Sequence, residues 1–475
     1  MFSEQREVLN EIIVKMHAGR ITRRRFLRSG IVLPLISSIV PFSLESCDTT
    51  PNPPNSSGSN GGNSISITWE SEYDDSGTYS QLVQAFNDIN KDGIHVNYIN
   101  GPRDTKQQHD EITAQLKKGQ GPDILSMDVI WTDEFAINNW IVPLSDQYKW
   151  PGSERNKYLS GPLQAATYPL EAATSHQGKV WTAPFRTNVG LLYYLKDIIT
   201  TPPKTWAELT TLAEQAQVSG RTKYGYIWQG APYEGLICNF VEVLESFGGH
   251  VLDPHDPTKV MVNSPEAVQA LTTMVDFIWS SNISPLAITT FKEGDTLSVW
   301  KAGDAAFMRH WPSAYSESSD ASQSRVAGKF DVAALPSSTP STTGHSCIGG
   351  WQLAINAYSR NKDAAWKFIH NWMLQEDAQQ FAAIDGSFTV TLQSIYQNSY
   401  VRDSNPFFAK LEPIFQQARL RPRLNSSRYQ DVSNAILKHV YEALTRQSKP
   451  ADALNALQAY LQPIVSNGTT SFHGG

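Results

Sequence analysis

Several short apolar runs in this 475-residue chain end on flat rings set beside charged groups. Asp128 and Trp131 follow the run that opens at Gly121-Pro122-Asp123. Arg309-His310-Trp311-Pro312 follows the run 305–308, and Gly349-Gly350-Trp351 opens another. Tyr233-Glu234 comes shortly after the run 224–228. Planar rings cover apolar faces, while carboxylates, amides and guanidinium groups pair with hydroxyls. This is the chemistry of holding a small solute without bonding to it. Bond-making chemistry has no comparable signature, because the chain contains no HExxH, GxSxG or P-loop spacing. No catalytic residue, cofactor or metal is therefore expected. A secreted carbohydrate-active enzyme stays as an alternative, since carboxylate pairs for glycoside cleavage depend on separation in space.

Cys47 carries a different chemistry. Thr22-Arg23-Arg24-Arg25-Phe26-Leu27-Arg28 precedes an apolar run over 31–42, which leads to Leu44-Glu45-Ser46-Cys47. The run is shorter than the roughly 20 residues that span a bilayer, and Pro34 and Pro41 interrupt it. The order reads as an export signal over 1–46, similar to the twin-arginine type, ending in a lipobox whose cysteine takes the lipid. Glu45 is an unusual lipobox residue. Residues 47–63 continue as a tether of Pro, Gly, Ser, Asn and Thr, with too little apolar surface to offset the entropy of ordering it. The expected location is the outer face of the cytoplasmic membrane, reached as a lipoprotein.

The charge balance excludes other classes. The chain has 39 Lys and Arg against 46 Asp and Glu, and removing 1–46 takes away seven of the former but four of the latter. No long basic run follows Cys47, which argues against nucleic acid. Cys238 and Cys347 are the other two cysteines, open to one disulfide or to two buried thiols. Thirteen Trp and eighteen Tyr are more than a core of this size needs, which points to a surface that stacks apolar faces.

The elements that must position these groups alternate. Strands are expected at 64–69, 94–99 and 123–126, with helices at 78–90 and 105–118 between them. That rhythm implies an α/β layered domain with a mostly parallel sheet. An extended segment at 182–194 breaks it. Further helices are expected at 206–217, 234–247, 264–280 and 297–302, and strands at 224–228, 305–308, 330–335 and 349–355. Ser264-Pro265 is an N-cap followed by a first-turn proline, and Gly248-Gly249 ends a helix. The last third is helical, at about 362–374, 377–384, 405–416, 430–445 and 450–461. At this length two domains are expected.

Taken in order, several of these pieces resemble the extracellular solute-binding proteins of carbohydrate ABC importers, the group of maltose- and trehalose/maltose-binding proteins. They are Gly121-Pro122-Asp123-Ile124 with Asp128 and Trp131, Ala183-Pro184-Phe185 and Trp206-Ala207-Glu208-Leu209. Phe247-Gly248-Gly249, Gly303-Asp304-Ala305-Ala306-Phe307-Met308 and Gly349-Gly350-Trp351 continue the series. Ala364-Ala365-Trp366-Lys367-Phe368-Ile369 and Arg421-Pro422-Arg423 complete it. The resemblance covers residues 64–465.

It implies a two-lobe periplasmic-binding-protein fold of type II, each lobe a layered α/β sheet. Lobe one would hold 64–184 and 346–388, lobe two 188–340 and 392–463, with crossover strands between and the ligand in the cleft. Trp311 and Trp351 would be stacking platforms, and Gly349 and Gly350 would let backbone approach the ligand. Asp128 would accept sugar hydroxyls, and Trp131 would be a further ligand contact. Glu70, Glu72, Arg186, Asn188, Tyr233 and Tyr429 are further implied contacts, with Arg423 bridging two hydroxyls. The implied ligand is a short oligosaccharide, with an α-linked glucose disaccharide such as trehalose or maltose favoured. The implied partners are membrane permease subunits with a separate ATPase, and the implied state is a monomer. A non-sugar solute is the alternative: glycerol phosphate would call for several cations in the cleft, and a polyamine for more carboxylates than aromatics.

Overall fold

The computed structural model describes residues 64–169, 178–256, 258–423 and 426–468. The expected export signal, Cys47 and the tether lie outside the described residues.

The strands are β1 Ile65–Ser71, β2 Ile94–Asn100, β3 Ile124–Asp128, β4 Thr167–Tyr168, β5 Lys179–Val180 and β6 Ala183–Val189. They continue as β7 Leu191–Leu195, β8 Tyr224–Ile227, β9 Ala305–His310, β10 Phe330–Ala333 and β11 Ile348–Ile355. Five of them form a sheet in the order β2-β1-β3-β11-β6, and four form a second in the order β10-β7-β9-β8.

The sheets are mixed, not mostly parallel as the alternation suggests. β1 runs parallel to β2 and β3, and β8 parallel to β9, each joined through helices as parallel strands require. β11 is antiparallel to β3 and β6, and β7 to β9 and β10. The antiparallel members include the chain that crosses between sheets. Only Gly190 separates β6 of the first sheet from β7 of the second, and β11 returns to the first sheet after β10.

Local sequence explains the helices. In Thr78–Ile89, Tyr79, Leu82, Val83 and Phe86 fall on one face and are buried. Ser264 caps Pro265–Trp279 by accepting from Ala267 N, and Thr205 with Glu208 forms a capping box on Trp206–Val218. No element was expected between 127 and 181. Four short helices lie there, Thr132–Ile137, Leu144–Gln147, Gly152–Arg155 and Ser160–Ala165, with the β4–β5 hairpin. None exceeds six residues, too few to display a period. The expected helix 362–374 is α-helical over Lys362–Phe368 and continues as a π turn over Ile369–Met373. The expected helix 405–416 becomes Ser399–Ser404 and Phe408–Gln417.

Gly350 shows how tightly the crossing strands pack. Its φ is +126°, and a Cβ there would stand 2.5 Å from the Arg186 carbonyl oxygen and 2.6 Å from Thr187 Cα. The glycine is needed for strand-to-strand contact, whatever its backbone does toward a ligand. Gly350→Ala is expected to destabilise the fold by about 3 kcal/mol, read from urea unfolding. Gly294→Ala, where nothing lies within 4 Å, is expected to leave the midpoint unchanged or higher.

Candidate functional site

Strand register gathers one side of the site. Asp128, the last residue of β3, lies opposite Trp351 of β11. Trp351 lies opposite Arg186 of β6, and Gly349 opposite Asn188. Cross-strand partners share a face, so these five residues form one patch. Trp351 is half-buried, and its ring meets that of Trp131 edge-on at 5.7 Å. Trp131 itself is buried, stacked on Phe135 at 6.0 Å with His109 at 5.1 Å. It props Trp351 from behind.

Glu72, just past β1, joins the patch by accepting from Tyr79 Oη and from Arg186 Nη1 at 3.3 Å. Burial pushes the Glu72 carboxyl up and Arg186 opposes the rise. Arg186 also lies 3.9 Å over the Phe388 ring. Glu72 Oε2 and Arg186 Nε make no hydrogen bond among the described residues. Glu70, inside β1, has another neighbour: burial and then the charge of Glu111 raise its carboxyl.

The second sheet contributes the facing wall. β9 runs two residues further than its apolar run, so Arg309 and His310 are strand residues. Arg309 is fully buried against Glu242, which accepts from Arg309 Nε at 2.8 Å. Gln229 Oε1 accepts from Arg309 Nη1 at 3.1 Å, and Glu242 also accepts from Cys347 N at 3.1 Å. Burial works against the Arg309 charge, and Glu242 outweighs it, so the guanidinium pKa rises. The guanidinium carries the Trp311 ring at 3.8 Å. Two carbons of that ring lie 3.4 Å from where a Gly349 Cβ would be, which puts Trp311 beside the β11 position two residues before Trp351. Tyr233 stands at the start of helix Glu234–Ser246, with its hydroxyl 2.5 Å from Glu293.

A third segment closes the site. Arg419 pairs with Cys347, laying the following residues beside the crossing chain. Arg421 is buried and donates to Asp128 and, at 2.9 Å, to Glu234. Glu234 also accepts from Tyr429 Oη at 2.8 Å and from Ser433 Oγ. One guanidinium thus joins the end of β3 in the first sheet to the helix that follows β8 in the second. Arg423 corrects an expectation. Its guanidinium closes on both oxygens of Asp133 and donates to the carbonyls of Gln164, Ala165 and Thr167. No donor of that fork is left for a ligand. Tyr429, with its hydroxyl bound to Glu234, sits in the apolar cluster around Trp131.

Sequence reasoning missed Arg309, Glu242 and Glu293. The signal for Glu242 is visible afterwards: it is one carboxylate inside Leu236-Ile237-Cys238-Asn239-Phe240-Val241-Glu242-Val243-Leu244. A lone charge in such a run implies a buried partner. Cys238, one turn before Glu242, and Cys347 are both buried free thiols. Burial, and then Cys238 beside it, pushes the Cys347 thiol up. Among the described residues no group of three His, Cys, Asp or Glu is placed to hold a metal, and no helix is long and apolar enough to cross a membrane.

Two α/β sheets linked by crossing strands, with rings and charges from both meeting between them, define a two-lobed solute receptor of the type II periplasmic-binding fold. Residues 70–380 match the bacterial extracellular solute-binding proteins, and the chain belongs to that family. A probable ABC transporter-binding protein of Deinococcus radiodurans is 34% identical over 390 residues, covering 80% of this chain and 88% of the relative. A maltotriose-binding protein of Pyrococcus abyssi is 24% identical over 362 residues, 75% of this chain and 73% of the relative. Among solved structures, maltose-bound MalE3 of T. maritima is 34% identical with a TM-score of 0.75, covering 84% of this chain and all of that one. The GacH receptor of Streptomyces glaucescens, solved unliganded and in complex with acarbose, shares the fold, at 23% identity and a TM-score of 0.69 over 85% of this chain and 99% of that one. The chain is accordingly a solute-binding protein of an ABC transporter, and its family consists of binding proteins that act outside the cytoplasm.

His310 makes the wall sensitive to acid. It is buried, its Nε2 bonds the Glu293 carbonyl at 3.2 Å, and Nδ1 has no partner among the described residues. Burial lowers its pKa below 6.5, the Glu293 charge opposes that shift, and Arg309 reinforces it. A depressed folded-state pKa contributes stability that is complete above the unfolded value and is lost as pH falls through the folded one. Urea midpoints of the wild type should therefore decline below about pH 6.5, and His310→Gln should flatten that decline. Parallel pH profiles would show that His310 contributes nothing.

Proposed function

We propose that this protein captures a short oligosaccharide, with an α-linked glucose disaccharide such as maltose or trehalose favoured, in the cleft between its two sheets. The observation that carries this reading is a pair of half-exposed indoles: Trp351 on β11, and Trp311 just past β9, two of whose ring carbons lie 3.4 Å from where a Gly349 Cβ would be. Two half-exposed rings beside one stretch of β11 suit the two C–H faces of linked hexoses. Glu72, Arg186, Asn188, Tyr233 and the Asp128–Arg421 pair surround them with acceptors and donors for hydroxyls.

Closure of the lobes over the sugar requires higher affinity for it in the closed form than in the open one. The closed form then docks on permease subunits driven by a separate ATPase. Lobe one comprises 64–184 and 346–388, and lobe two 188–340 and 392–463, with 419–423 returning to touch lobe one through Asp128 and Asp133. The protein works as a monomer, exported by a twin-arginine type signal over 1–46 and held at the outer face of the cytoplasmic membrane by lipid on Cys47. The maltose and maltotriose named for two relatives support the sugar class.

Calorimetry on the chain lacking residues 1–47, against maltose, trehalose, sucrose, lactose and xylobiose, tests the reading. One of these is expected to bind with a dissociation constant of about 10 μM or tighter, and Trp311→Ala should weaken it at least about tenfold. A folded protein that gives no heat with any of them contradicts the disaccharide assignment.

A further inference from the structure

Glu293, the first residue of helix Glu293–Lys301, holds both rings of the second-sheet wall. Its Oε1 accepts from Trp311 Nε1 at 3.1 Å, and its Oε2 accepts from Tyr233 Oη at 2.5 Å. Its backbone is held in turn, because the carbonyl meets His310 Nε2 at 3.2 Å. Trp311 is thus fixed on its underside by Arg309, at 3.8 Å, and at its edge by Glu293. Lys292, the residue before, lies 5.1 Å over the Tyr233 ring and 3.3 Å from Asp104, which caps helix Thr105–Leu116 beside the first sheet.

We propose that Glu293 is a positioning residue: one carboxylate sets the directions of the Trp311 and Tyr233 rings, and the affinity of the cleft depends on it through them. The proposal rests on the ligand-binding reading of the cleft given above. The chemistry explains why an acid stands here. The indole N–H donates and cannot accept, and the phenol hydroxyl is also placed to donate. A carboxylate offers an acceptor to each. An amide offers one acceptor and one donor, so Gln can serve the indole while the phenol turns to accept. Leu serves neither.

The test uses the full chain labelled with 5-fluorotryptophan, with the Trp311 resonance assigned by its absence in Trp311→Phe, and maltose as the ligand probe. Glu293→Leu should shift or broaden the Trp311 fluorine resonance without ligand and weaken maltose binding about 10–30-fold. Glu293→Gln should keep the resonance near its wild-type position and bind within about threefold. Adding Glu293→Leu to Trp311→Ala should weaken binding less than the product of the two single losses, because they act through the same ring. Glu317→Gln, which alters a half-exposed pair with Lys301, serves as the control and should move nothing. If Glu293→Leu does not fold, Tyr233→Phe must shift the Trp311 resonance by releasing one end of the tie. An unmoved Trp311 resonance in whichever of these two variants folds overturns the proposal. A wild type that ignores maltose instead removes the sugar reading, and the ligand-free spectra then decide the role of Glu293.

Discussion

Arg309 holds a full positive charge where no water reaches it, and the rest of the Trp311 wall is arranged around that fact. A buried guanidinium without its counter-charge is untenable, so Glu242 must stay in place, and with it helix Glu234–Ser246. The same carboxylate accepts from Cys347 N, in the segment that carries the chain back to β11. Gly190, the one residue between β6 and β7, must lack a side chain because its Cβ would stand 2.0 Å from Glu242. One buried pair therefore ties the end of β9, the helix and two of the crossings between sheets.

That anchoring explains the aromatic wall. A tryptophan free to rotate loses entropy when a ligand lands on it, and a ring fixed beforehand does not. Trp311 rests on Arg309, and Trp351 leans on Trp131, which is itself stacked on Phe135. Both rings are set by buried neighbours. The charges that cross between sheets are a separate matter. Arg421 links Asp128 to Glu234, and Lys292 reaches Asp104 near the surface. Pairs of the second kind are exposed and screened, and contribute little beyond aligning the lobes.

Much of this was legible from sequence. Ser264-Pro265, Gly248 and the stripe of Leu82, Val83 and Phe86 dictate helices because caps and period are local properties. Trp311 and Trp351 stand out because each follows or opens an apolar run. The mixed sheet was not legible, since strand direction is set by which lobe the chain returns from, a long-range choice. Arg421 and Arg423 lie two residues apart and meet different fates: one bridges sheets while the other is consumed by Asp133 and three carbonyls. Nothing local separates them. Glu293 escaped notice because an acid in a first helical turn is ordinary dipole chemistry, and its ring partners lie 18 and 60 residues away.

A double-mutant cycle on Arg309 and Glu242 addresses the central dependence most directly, with unfolding free energies measured for Arg309→Met, Glu242→Leu and the double variant. If the pair anchors the wall and the crossings, each single change costs about 3–5 kcal/mol and the double costs far less than their sum, because neither charge is then left buried alone. Single costs below about 1 kcal/mol, or costs that simply add, would contradict it.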